Sequence, residues 1–200
     1  MIDKKKIKNF IMLNTINDEQ IEKIHDITTK GLLINSIVFI LIGYIFHKMI
    51  SDILVYTFLV IFLILLISRY VILYKFKFWK KKKWLIYNTV GLFLTSLIWG
   101  SAIFIILSGD SIPEKDKIIL FTVVAVMGAT AISTIGTIIQ LYIIFIVPIF
   151  APIIFHFIYE SQENFLIYAF LTFVALIYYI KNAFMFSNSF SEIILKNRDI

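Results

Sequence analysis

From Ile118 to Tyr159 the chain runs for 42 residues without one Asp, Glu, Lys or Arg. As a single straight helix that stretch would measure about 63 Å, twice the roughly 30 Å of a bilayer's hydrocarbon core. A soluble fold has little use for such a run, because no solvated face is left on it. Two membrane spans do have a use for it, provided the chain doubles back, and Ser133–Gly136 supplies the small residues for the turn. Backbone groups there must lie at the interface or be sheltered by neighbouring helices, since lipid offers them no hydrogen bonds.

The other apolar runs fall at Gly31–Ile50, Ile53–Leu73, Leu85–Leu107 and Phe165–Ile180. Together with Ile118–Ser133 and Thr137–Tyr159 they predict an all-α, polytopic helical bundle of six spans. Composition agrees: 60% of the 200 residues are hydrophobic and 16% charged, against roughly a quarter charged in a soluble domain. Three regions follow: an amphipathic N-terminal segment over 1–30, a six-helix domain over 31–180 and a connector helix over 181–200. Within the first, Asn17–Lys30 reads as a short helix capped by Asn17 with Gln20 at the reciprocal position. It is expected to lie on the membrane or lead straight into the first span. The polar start and the late first apolar run do not read as a cleavable signal peptide.

Lys and Arg counts set the expected orientation. With the N-terminus inside, 16 of the 19 fall on the cytoplasmic side and three (Lys48, Lys115 and Lys117) outside, so both termini are expected in the cytoplasm. The loop holding Lys75, Lys77 and Lys80–Lys83, flanked by Trp79 and Trp84, reads as a topology signal. It also attracts anionic lipid headgroups. That use absorbs the net charge of +6, and no nucleic-acid partner is expected. With no cysteine, neither a disulfide nor a thiolate metal site can form.

Few residues offer chemistry. Arg69, about four residues from the inner end of its span, is expected to snorkel to the headgroups. His47 and His156 fall near the outer leaflet as interfacial histidines, with a metal pair or pH sensor as the sharper reading. Asp110, Glu114 and Asp116 read as a polar outer loop, and Glu160 and Glu163 as a solvated pair. No span carries Asp or Glu, which disfavours an ion-coupled transporter. No phosphate loop, metalloprotease helix or nucleophile elbow appears, so no enzyme and no cofactor are expected.

Packing signals are clearer. Ala125, Ala129 and Ser133, with Gly128 and Ala131 beside them, suggest close helix approach within the bundle. Pro148 and Pro152, one turn apart, each remove a backbone donor and predict a kinked or locally open fifth helix. Trp99, followed by Gly100, lies mid-span, and its indole N–H needs a partner: Ser96 or a bound ligand. Beyond the last span, Tyr179, Ala183, Phe186, Phe190, Ile193, Asn197 and Ile200 recur at heptad spacing. They predict a parallel dimer stripe, with an amphipathic interfacial helix as the alternative.

Arg69, Ser96-Leu97-Ile98-Trp99-Gly100, Gly128-Ala129, Pro148, Pro152 and Leu195-Lys196-Asn197 together resemble a known pattern. It is that of the six-helix (MASE-like) membrane sensor regions that precede diguanylate cyclase (GGDEF) domains and histidine kinases in bacteria. The resemblance covers about residues 18 to 200. It implies a non-catalytic input domain of the bacterial cytoplasmic membrane, acting as a homodimer on a diguanylate cyclase or kinase output domain beyond Ile200. The rival expectation is a small transporter or channel subunit, with Ser96, Thr130 and Gln140 lining a polar path.

Overall fold

The computed structural model describes residues 18–47, 50–109, 113–159 and 165–198. These fold into six long helices: α1 (Asp18–Phe46), α2 (Asp52–Tyr74), α3 (Lys81–Leu107), α4 (Glu114–Ile135), α5 (Ile139–Tyr159) and α6 (Phe165–Arg198). A single 3-10 turn at Lys75–Lys77 links α2 to α3. All six are long and apolar enough to cross a membrane, and no strand occurs among the described residues. The chain is a multi-pass membrane protein.

Two of the expected region boundaries, at residues 30/31 and 180/181, fall inside continuous helices. α1 begins at Asp18 and runs unbroken to Phe46, so the amphipathic segment does lead directly into the first span. α6 likewise runs through Ile180 to Arg198 without a joint. Neither junction holds a proline, so nothing interrupts the helical hydrogen bonds there. The expected capping residue Asn17, the loop residues Lys48, Asp110, Glu160 and Glu163, and the last stripe residue Ile200 lie outside the described residues.

α3 and α5 form the centre. Half of each span is buried, against about a tenth of α2, which lies at the edge. Fully buried Trp99, Ile103, Leu141, Ile146 and Ile149 make the core between them. The outward faces are apolar as well: Ile53 is 78% exposed, Phe155 68% and Phe170 64%. Such a girdle is stable in lipid and not in water.

The α4–α5 turn falls where the uncharged run demands it, with helix ending at Ile135 and resuming at Ile139. Gly136, Thr137 and Ile138 are buried. Gly136 N–H donates back to the Ile132 carbonyl at 3.1 Å, and the Thr137 carbonyl accepts from Ser187 Oγ on α6 at 3.1 Å. α6 therefore supplies the shelter that the turn's backbone requires.

One end of the bundle gathers the start of α1, the lysine loop, the α4–α5 turn and the far part of α6. Lys81 pairs with Glu22 at 2.6 Å and Asp18 at 3.6 Å. His25 stacks on Phe76 with ring centroids 4.0 Å apart, and its Nε2 lies 3.3 Å from the Leu73 carbonyl. Lys23 Nζ sits 3.7 Å above the Phe190 ring. Trp84 belongs to this cluster: it is fully buried, donating to the Ile72 carbonyl at 3.0 Å. It is not the interfacial aromatic that its position beside the lysines suggested. Trp79 keeps that role more nearly, with Lys83 over its ring at 5.3 Å.

Candidate functional site: a buried arginine in an apolar cleft

The α3–α5 seam explains the two prolines. Pro148 has no N–H to give the Ile144 carbonyl, and Pro152 none to give the Pro148 carbonyl. Ser96 Oγ, which also donates to Phe93 at 2.7 Å, reaches the Ile144 carbonyl at 3.3 Å. One turn further along α3, Gly100 faces the Pro148 carbonyl so closely that a Cβ there would fall 2.0 Å from its oxygen. The two freed carbonyls of α5 thus meet Ser96 and Gly100 in matching register. α5 remains one helix through both prolines, so the local opening expected of it is covered from the side.

Trp99 is fully buried. Its single Nε1–H donates to Asn35 Oδ1 on α1 at 2.8 Å, so the partner is neither Ser96 nor a ligand. Phe39 stands edge-on to the indole at 5.0 Å and stacks on Phe62 at 3.8 Å, tying α1, α2 and α3 together. Gly128 is buried as expected, and its carbonyl accepts from Tyr142 OH at 3.0 Å.

Other expected sites are redistributed. Ala125, Ala129 and Ser133 lie exposed on the outer side of α4, so the packing face is instead Val124, Gly128 and Ala131, one residue round the helix. The heptad stripe of α6 is largely intramolecular. Tyr179 OH donates to the Ala125 carbonyl at 3.1 Å, Ala183 is fully buried, Phe186 is half-buried and Phe190 lies under Lys23. Ile193, 55% exposed, is free for another contact, and the Asn197 side chain lies outside the described residues. His156 is buried rather than interfacial, with Nδ1 3.5 Å from Ser108 Oγ. His47 caps back onto the Tyr44 carbonyl. Among the described residues no group of three His, Cys, Asp or Glu could hold a metal ion.

Arg69 departs furthest from expectation. It is 5% exposed and turns inward, because Gly91 on α3 leaves room for its stem: a Cβ there would sit 3.2 Å from Arg69 Cγ. Its Nε is buried without a hydrogen-bond partner, and among the described residues it forms no ion pair. The side chain lines a cleft of about 250 Å³ walled by α1 and α4, with Leu92 and Phe145 also on its lining. Thr28 and Asn35 are the other polar residues of its α1 wall. Thr130 and Thr134, on the α4 wall, bond back to their own helix. Thr28 does not: its Oγ1 is buried with no partner, whereas Thr29, next in the chain, bonds the His25 carbonyl at 3.1 Å.

The sequence marked Arg69 but missed the cleft. Asn35 and Thr28 were the available signals, being polar residues within an otherwise apolar helix, and Gly91 on α3 was the third. Compared with protein-family models, curated proteins and solved structures, the chain matches none.

Proposed function

We propose that the chain is a non-catalytic membrane input module, in which the state of the bundle is passed along α6 to whatever follows it on the cytoplasmic side. The carrying observation is the length and anchoring of α6. Its 34 residues span about 51 Å, some 20 Å beyond a hydrocarbon core. The projecting part is rigidly continuous with the part held against α4 and the α4–α5 turn by Tyr179 and Ser187. A shift of α4 and α5 against α3 would therefore move a helix that leaves the membrane. The resemblance to sensor regions that precede diguanylate cyclases and kinases supports this reading. A transport path is less favoured: Ser96 is fully buried and doubly hydrogen-bonded, and of Ser96, Thr130 and Gln140 only Thr130 lines the cleft.

The test is a chimera joining residues 1–200 to the catalytic domain of a diguanylate cyclase stripped of its own membrane region. One to four alanines inserted after Asn188 rotate the output by about 100° each. Activity should rise and fall with the helical repeat. Equal activity for every insertion would reject α6 as the transmitting element.

A further inference from the structure

The Arg69 cleft has the composition of a binding site for an amphiphile with an anionic head. Arg69 is a permanent cation in an apolar interior, and nothing among the described residues neutralises it. On the α1 wall beside it, two polar groups are free to donate. Asn35 Oδ1 is committed to Trp99, which leaves that side chain its N–H₂, and the Thr28 hydroxyl is unengaged. No carboxylate lines the cleft, and the rest of the lining is mainly aliphatic. Its volume exceeds the roughly 150 Å³ of an apolar hole that accepts a benzene ring.

The way in is from the side. The lining residues Ile34 on α1 and Val126 on α4 are 62% and 55% exposed, so the lips of the cleft face lipid rather than water. Arg69 lies five residues before the end of α2, Tyr74, about 8 Å down the helix axis. Immediately beyond that end come Lys75, Lys77 and Lys80–Lys83, a cluster that concentrates anionic lipid at the mouth. We infer that the cleft binds one anionic phospholipid of the adjacent leaflet, its headgroup oxyanion on Arg69, Asn35 and Thr28 and an acyl chain between α1 and α4. This site does not depend on the signalling role of α6.

Two substitutions probe it from opposite sides. Arg69→Met removes the cation and keeps the length. Gly31→Leu fills the cleft and leaves the arginine in place, since a Cβ at Gly31 meets nothing within 4 Å. The full chain is reconstituted in phosphatidylcholine nanodiscs containing phosphatidylglycerol, extracted into detergent, and weighed intact by native mass spectrometry. The wild type should retain one phosphatidylglycerol, at least tenfold over phosphatidylcholine. Both variants should lose that preference, while Lys77→Ala in the exposed loop lowers retention threefold at most. Melting temperature should rise with phosphatidylglycerol in the wild type alone. Without that lipid Arg69→Met should melt no lower than the wild type, because it removes an unpaired buried charge. Equal retention by Arg69→Met, or by Gly31→Leu should the first fail to fold, would overturn the proposal. So would equal retention of phosphatidylcholine, or displacement of bound phosphatidylglycerol by inorganic phosphate or free fatty acid added at the same concentration as that lipid.

Discussion

Trp99 and Asn35 illustrate what a single polar pair does in this interior. The indole N–H and the carboxamide oxygen lie 2.8 Å apart, and each is the other's means of leaving water. Replacing Asn35 by Leu strands the indole donor, with an expected loss of about 1–3 kcal/mol. Trp99→Phe strands the Asn35 oxygen and opens a gap as well, so it should lose more. The double variant should be less destabilised than the sum, with a coupling near 0.6 kcal/mol and below about 2, as measured for membrane hydrogen bonds. Unfolding in mixed micelles followed by circular dichroism measures all three, and strict additivity would show that the bond contributes nothing. Arg69 makes the complementary point. A snorkelling arginine needs only a nearby interface, and its sequence position offered one. Gly91 lies 22 positions further on and opened a different route for the side chain. Local sequence does not reveal which glycine a side chain will cross.

Between elements, the α3–α5 seam is a register device. A methyl at Gly100 would fall 2.0 Å from the Pro148 carbonyl oxygen, so Gly100→Ala must push the two central helices apart. Overpacking of this kind commonly costs about 1–3 kcal/mol. Ser96→Ala removes a hydroxyl whose proton is shared between the Phe93 carbonyl at 2.7 Å and the Ile144 carbonyl at 3.3 Å, and should cost about 0.6 kcal/mol. The reason for the serine supplies a sharper expectation. Pro148→Ala returns an N–H to the Ile144 carbonyl from within α5, so Ser96→Ala should become nearly neutral in that background. Thermal unfolding of the four proteins decides it, and an unchanged Ser96→Ala penalty would show that the proline does not create the need. The prolines and the glycine were each legible in the sequence as irregularities. That they answer one another was not, because 48 residues separate Ser96 from Ile144 and pattern within one helix carries no information about its neighbour's phase.

For the whole molecule, the start of α1, the lysine loop and the far part of α6 share one end, as an even number of crossings requires. The chain has no native cysteine, so single-cysteine variants report cleanly. Lys77→Cys and Ile193→Cys should react with an impermeant maleimide from the same face of the membrane, and Asp52→Cys from the other. Labelling of Lys77→Cys and Ile193→Cys from opposite faces would break the six-span topology. With lysine counts of 16 to three, reporters fused to the two termini should both read as cytoplasmic. Hydropathy determined the number of spans, the place of the α4–α5 turn and the expected orientation. Each is decided by transfer of a segment between water and lipid, a property summed along the chain. The buried arginine, the Trp99–Asn35 bond, the covered prolines and the inward half of the α6 stripe were decided only in the folded bundle. In lipid every face of every helix is equally greasy, so the choice of which faces meet falls to close packing and a few hydrogen bonds, and those exist only between segments already assembled.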